Sequence, residues 1–485
     1  MTRFAILGLR AVALLGLATG LSACSRIPDN DPRMVSEWMH TLYGVVRAER
    51  ISPPIASRFM AYAAVALNEG LAAAPSGPTS LAGALNGLSQ LPAGTKGRRY
   101  DGTLVAVAAE QVVTDSLLSE ALPATRATLA NLVDSLNQVR LALGVGDDVR
   151  DRSGELGRRI GLAIVAWSRS DRFDSTRGKP YQPPIGPGLW INDTPGNLYA
   201  SQNLSAATDF VGLDNPANNA RPGTTSDRGL IMNRPKRTGL KALPPVNMAG
   251  ATEPYWGSLR PFVLKTWNEC PIPDPPAYSA EPGTPLYQEA LGVSETGKHL
   301  TPEQRATAFY WADNAGESGT PVGHWIAIAS QMVSQRNLSA NDAARLFVLS
   351  AAAQADAFIA TWGYKYRFNL IRPRTYIRRI IDPAWEPLIP TPPFPEYPSG
   401  HSAQSSAAAT ALTAMLGEVA FDDSSGVAIG PAIHRFDSFM DAALAAGKSR
   451  VYGGIHFEAG NQAGRIVGSC IGARVAERLG AAPAQ

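Results

Sequence analysis

KYRFNLIRP (Lys365 to Pro373), YPSGHS (Tyr397 to Ser402) and SRVYGGIHF (Ser449 to Phe457) decide how this chain reads. Together they supply three cations, Lys365, Arg372 and Arg450, one hydroxyl, Ser399, one glycine backbone, Gly400, and two imidazoles, His401 and His456. That set suits a tetrahedral oxyanion that becomes five-coordinate. Guanidinium forks and an ammonium hold equatorial oxygens, a glycine lets backbone N–H approach, and an imidazole serves as axial ligand or nucleophile.

The spacings support this chemistry. Lys365 and Arg372 are seven residues apart, two helical turns, so on one helix they share a face roughly 10 Å apart. Pro373 then ends that helix or lies just past its end. YPSGH precedes the Ala-rich run SAQSSAAATALTAML (Ser402 to Leu416), read as a helix whose positive end faces the anion. Arg450 and His456 flank Gly453-Gly454, a turn into the last helix, so one residue reaches from a loop and the other projects from a helix start. Each piece alone is ordinary: PSGH most often marks a turn, and cations on a helix face are usually solvated. Three blocks supplying complementary parts of one anion site are not ordinary.

The blocks resemble the family of vanadium-dependent haloperoxidases and type 2 phosphatidic acid phosphatases. The family pattern is Lys, six residues, Arg-Pro; then Pro-Ser-Gly-His; then Ser-Arg, five residues, His, three residues, Asp. Every position matches except the last, where Gly460 stands in place of Asp. In the phosphatases that Asp orients the nucleophilic His. Glu458 and Asn461 are the nearby candidates to replace it. The resemblance implies an all-α fold of helical bundles, one vanadate per chain ligated by His456, and His401 as the acid–base group. It leaves two reactions: halide oxidation by hydrogen peroxide, with a small organic acceptor, or periplasmic acid phosphatase action through a phosphohistidine at His456.

Neighbouring residues tilt the reading toward oxidation. PPFPEYPSGH (Pro392 to His401) resembles the corresponding stretch of fungal chloroperoxidases, where a Phe five residues before the Ser and a Trp three before the Lys flank the halide. Phe394 and Trp362 occupy those positions. An apolar aromatic wall suits a weakly hydrated halide; core packing is the competing role for both rings. FYWADNAGESGTP (Phe309 to Pro321) resembles the segment whose Asp pairs with the second Arg, which makes Asp313 the expected partner of Arg450. His324 is expected to be structural. A binder of phosphate or vanadate without turnover has no use for an acid–base His401.

Composition bounds the rest. The chain has 485 residues, 18% of them charged, and a net charge of +3. The small, dispersed basic excess argues against a nucleic-acid partner. Arg3 and Arg10 precede the apolar run Ala11 to Leu21, which ends in Leu21-Ser22-Ala23-Cys24. The run is too short to span a membrane and has the form of a signal peptide. Leu-Ser-Ala-Cys resembles a bacterial lipobox, so residues 1–23 are expected to be removed and Cys24 lipidated. Ser25, rather than Asp, after the Cys favours a lipid-anchored protein of the cell envelope, on the outer membrane facing the periplasm. Beyond this leader the sequence suggests no membrane span. The remaining cysteines, Cys270 and Cys470, either pair or stay as buried thiols.

Along the chain, 24–175 reads as an N-terminal helical region, with apolar residues at three-to-four spacing in Met34 to Arg50 and Pro53 to Ala74. Residues 176–285 are rich in Pro, Gly and Asn and carry scattered aromatics, the mark of an ordered excursion over the helices. Ser201 to Pro245 reads as an insertion within it. Residues 286–485 form a C-terminal helical domain carrying the oxyanion site, with Ser339 to Tyr366 its longest helix. Two four-helix-like bundles are expected. Ala-rich faces are compatible with a homodimer.

Overall fold

The computed structural model describes residues 30–193, 251–425 and 433–481. The fold is all-α. Helices α1 (Pro32–Ala48), α2 (Pro53–Leu71), α3 (Gly102–Leu117), α4 (Pro123–Ala142), α5 (Asp147–Arg169) and the short α6 (Phe173–Thr176) form the N-terminal part. After the excursion come α7 (Pro285–Lys298), α8 (Pro302–Tyr310), α9 (Thr320–Gln335), α10 (Ala340–Phe368), α11 (Pro373–Ile380) and α12 (Gly400–Leu416). A two-stranded antiparallel ribbon follows, β1 (Phe421–Asp423) with β2 (His434–Phe436), in the register Phe421 opposite Phe436. Helices α13 (Phe439–Tyr452) and α14 (Glu458–Arg478) close the chain.

Proline opens many of these helices, among them α1, α2, α4 and α11, where its missing N–H costs nothing. Ser339 caps α10 through Asp342 N, and Thr301 forms a capping box with Gln304 at α8.

The larger hydrophobic core cluster runs from Met34 on α1 through to Leu479 beyond α14, and a second, smaller one from Leu286 to Ala463 packs around α7 and α11. Helix α10 is its axis, packing on α1, α2, α9, α12 and α14. By length and composition α10 could cross a membrane, a feature the sequence reading missed. However, 94% of its most apolar stretch is buried in the fold, which makes it a core helix.

Three glycines at helical spacing, Gly464, Gly468 and Gly472, set the close approach of α14 to α12. A Cβ at Gly464 would lie 2.6 Å from Ser399 O, one at Gly468 2.1 Å from Ala403 O, and one at Gly472 2.5 Å from Ala407 O. Only glycine lets the backbones meet there.

The excursion is pinned to α10. Asp356, buried on that helix, accepts the amides of Phe262, Val263 and Leu264 at 2.6, 2.9 and 2.8 Å. Trp190 N donates to Asn369 O, and Ile371 N donates to Gly188 O. These bonds brace the chain where α10 turns into α11. Cys270 and Cys470 form a disulfide, with Cα atoms 5.9 Å apart, that ties the excursion to α14.

Candidate active site

Lys365 and Arg372 do not share a helix. Helix α10 stops at Phe368 because Asn369 takes a left-handed C-cap with φ 49°. Arg372 is the extended N-cap of α11, and Pro373 begins that helix rather than ending the previous one. The elbow still brings both cations together. Lys365 Nζ donates to Pro395 O at 2.9 Å and Glu396 O at 2.8 Å. Arg372 Nε donates to Phe394 O at 2.8 Å, and its Nη1 donates to Ile455 O at 2.8 Å. The carbonyls of 394–396 thus collect the two cations, and both side chains are fully buried.

Ser399 caps α12, its hydroxyl accepting from Ser402 N, and its own amide donates to Gly460 O at 2.9 Å. Gly400 and His401 are the first residues of that helix and so sit at its positive end. Arg450 lies in the last turn of α13, a helix end and not a helix start, while His456 comes from the turn before α14. Arg450 Nη1 donates to Trp311 O at 2.9 Å. The residues named from the three blocks therefore gather in one cluster, buried except for the half-buried His401.

Burial first, then Arg372, holds the Lys365 pKa well below its ordinary value. His456 is likewise held well down, by burial and then by Arg372, Lys365 and Arg450. His401 is lowered by burial, Arg450 and His324, while backbone bonds to Trp311 and Ala312 oppose this. Its Nε2 is buried without a hydrogen-bond partner among the described residues. Buried cations and a neutral imidazole with a spare polar atom fit an oxyanion such as vanadate or phosphate, because an anion offsets the charge and accepts their hydrogen bonds.

Trp362 and Phe394 stand against this cluster, their rings 5.0 Å apart. Lys365 Nζ lies 5.8 Å from the Trp362 ring and 5.1 Å from the Phe394 ring, and the Arg372 guanidinium 4.8 Å from Phe394. A Cβ on Gly400 would sit 3.3 Å from Trp362. Trp362 Nε1 is tied to Thr252 O at 3.1 Å, so the six-membered ring turns toward Gly400.

Asp313 does not take the place expected of it. Its oxygens accept from Ser318 at 2.9 Å and bond His324 Nδ1 at 2.9 Å. His324 Nε2 meets Asp423 at 2.8 Å on the other side, and the ring stacks on Trp311 at 4.1 Å. Burial alone would lower the His324 pKa, but the two carboxylates raise it to about 10. This clamp fixes the segment 311–313, whose backbone meets Arg450 and His401. Asp423 is 110 residues from Asp313 in sequence, beyond any local signal.

A second carboxylate also escaped the sequence reading. Glu396, fully buried, places Oε1 2.7 Å from His456 Nδ1 and 3.1 Å from Phe457 N. Glu458 instead bonds Lys448 and Asn461, and Asn461 also bonds Ser402. Glu396 lies inside the PPFPEYPSGH stretch, and its position between two ring-bearing motif residues was the available signal. Cys24 lies outside the described residues.

Comparison with known proteins follows the same lines as the geometry. The family model described as the VCPO second helical-bundle domain matches residues 345–384 and 379–482. The structure of the first bacterial vanadium-dependent iodoperoxidase is 30% identical with a TM-score of 0.75, covering 93% of this chain and 96% of that one. Two structures of bacterial vanadium-dependent chloroperoxidase, holo and apo, share the fold at 17% and 16% identity. Their TM-scores are 0.60 and 0.63, and they cover 94% and 93% of this chain and 99% and 98% of theirs. Among curated proteins no match was found. The molecule is thus a helical-bundle protein with a buried cluster of cations and imidazoles, and more particularly the chain belongs to the vanadium-dependent haloperoxidase family.

Proposed function

We propose that this protein is a vanadium-dependent haloperoxidase that oxidises halide with hydrogen peroxide at a His456-ligated vanadate. The observation that carries this reading is the buried convergence of Lys365, Arg372, Ser399, Gly400, Arg450, His401 and His456 beside the Trp362–Phe394 wall. Bound vanadate would supply a Lewis-acidic centre that activates peroxide toward halide. Lys365, Arg372 and Arg450 would hold its oxygens, with the Ser399 hydroxyl and the Gly400 amide completing the cradle. His456 Nε2 would face the anion. His401, neutral with Nε2 unpartnered among the described residues, can take a proton from peroxide and return it. Trp362 and Phe394 would border the halide and exclude water.

Iodide is the halide we expect to be turned over most readily, in keeping with the iodoperoxidase relative. A small organic acceptor then takes the halogen. A phosphohistidine needs a carboxylate behind His456, and Gly460 supplies none. Glu396 removes that objection, and the preference for oxidation now rests on the aromatic wall and the family.

Protein stripped of anions should bind orthovanadate and phosphate competitively in calorimetry. Peroxide-dependent iodide oxidation should appear with vanadate and fade in excess phosphate. Vanadate binding that phosphate leaves untouched would place it elsewhere.

Residues 1–23 and the Leu21-Ser22-Ala23-Cys24 sequence support a lipid anchor at Cys24 and an envelope location facing the periplasm. The Cys270–Cys470 disulfide suits such an oxidising compartment. Mass spectrometry of the native protein is expected to find a lipidated Cys24 at the N-terminus; an unmodified terminus elsewhere would remove the anchor. The Ala-rich faces leave a homodimer as part of the same reading.

A further inference from the structure

The last position of the family pattern is a glycine in this chain, yet a carboxylate stands behind His456. We infer that Glu396 is the positioning residue for His456: it accepts the Nδ1 proton, fixes the ring and presents the Nε2 lone pair to the oxyanion. The inference rests on the proposed role of His456 as the vanadate ligand.

Two contacts agree on the tautomer. Glu396 Oε1 lies 2.7 Å from Nδ1, while Arg372 Nη1 lies 3.2 Å from Nε2. A guanidinium only donates, and a neutral imidazole carries one N–H. Nε2 must therefore be the acceptor and Nδ1 must hold the proton. Partners of this kind orient metal-ligating histidines generally.

Glu396 is itself held by the cradle. Its carbonyl accepts from Lys365 Nζ at 2.8 Å, and its amide donates to Leu370 O at 3.0 Å. Oε1 also accepts from Phe457 N at 3.1 Å, so the side chain is fixed at both ends. One residue thus meets Lys365 through its carbonyl and His456, 60 positions further along the chain, through its carboxylate.

Residues 396 and 460 exclude each other. A Cβ built on Gly460 would lie 2.3 Å from Glu396 Oε1 and 2.8 Å from Oε2. Glu396 occupies the space that a side chain at 460 would enter. One carboxylate can stand behind His456, from position 396 or from position 460, but not one from each. Gly460 is therefore the partner of Glu396 and not a lost function. An added aspartate at 460 would damage the site in this background, contrary to what the sequence alone suggests.

The test is a double-variant cycle read by vanadate calorimetry, with ¹⁵N NMR of the imidazole nitrogens. In vanadate-free wild-type protein, NMR should show His456 protonated at Nδ1 and bare at Nε2; the opposite tautomer overturns the inference without needing any variant to fold. Glu396→Ala should weaken vanadate about 10- to 100-fold, the usual range for such partners. Gly460→Asp alone should also weaken it, through the clash. Glu396→Ala combined with Gly460→Asp should bind more tightly than either single variant, a coupling that mere loss of packing does not produce. A combined variant that binds no more tightly than the better-binding single one, or Glu396→Ala binding like wild type, overturns the inference. His456→Ala with undiminished vanadate binding would instead sink the underlying ligand assignment.

Discussion

At the scale of single residues, the site is a concentration of buried positive charge held in place by main-chain carbonyls. Lys365 and Arg372 lean on Phe394, Pro395 and Glu396, and Arg450 on Trp311. On the proposed function these groups divide into holders of the anion and movers of protons, and two substitutions separate the roles. Arg372→Ala should weaken vanadate by about 1.5–3 kcal/mol, the scale of a charge-assisted hydrogen bond; unchanged affinity in calorimetry would remove Arg372 from the site. His401→Ala should abolish peroxide turnover and leave vanadate bound, because His401 is assigned to proton transfer; loss of vanadate would make it a ligand instead. The cradle residues were legible in the sequence because motif spacing names them directly. Glu396 and the Asp313–His324–Asp423 clamp were not, since their meaning lies in partners 60 and 99 residues away. Asp313 was singled out, but its carboxylate serves His324, and the neighbouring backbone of Trp311 meets Arg450.

At the scale of elements, two devices set the geometry. The first is the glycine stripe of α14 against α12. Gly468→Val should destabilise the protein by at least about 1–3 kcal/mol, the usual cost of overpacking, and should weaken vanadate too, because Ser399, Gly400 and His401 ride on α12. A thermal melt and vanadate affinity like wild type would show that the helices can separate without cost. The second is the clamp on His324, which joins the α8–α9 connection to β1. Its pKa is raised to about 10, so its contribution to stability is full below the ordinary value of 6.5 and is lost as pH rises through 10. Asp423 is held well below its ordinary 3.8, so its contribution fades as pH falls below that value. His324→Gln should cost several kcal/mol, about 3–5 for a broken buried pair, near pH 6. The gap to wild type should narrow between pH 6.5 and 10; a constant gap in melts across that range would mean the ring is not charged. Long periodic helices such as α2 and α10 were legible. Helix α11 was not, because Pro373 reads as readily as a stop as a start.

At the scale of the whole molecule, the larger core joins the N-terminal helices to the helices that carry the site. The excursion, anchored by Asp356 and by the Cys270–Cys470 disulfide, braces the elbow between Lys365 and Arg372. The helical class could be read from periodicity together with the family resemblance. The continuity of the core could not, since periodicity shows that a helix has a buried face and not what covers it. The same cradle can hold a vanadate or a phosphoryl group, so the choice between oxidation and hydrolysis is the central claim. The most direct test assays one purified preparation twice: iodide oxidation with peroxide after vanadate loading, and phosphoester hydrolysis without vanadate. The account expects brisk, vanadate-dependent oxidation and slow hydrolysis. Brisk hydrolysis with no peroxide-dependent iodide oxidation at saturating vanadate would contradict it.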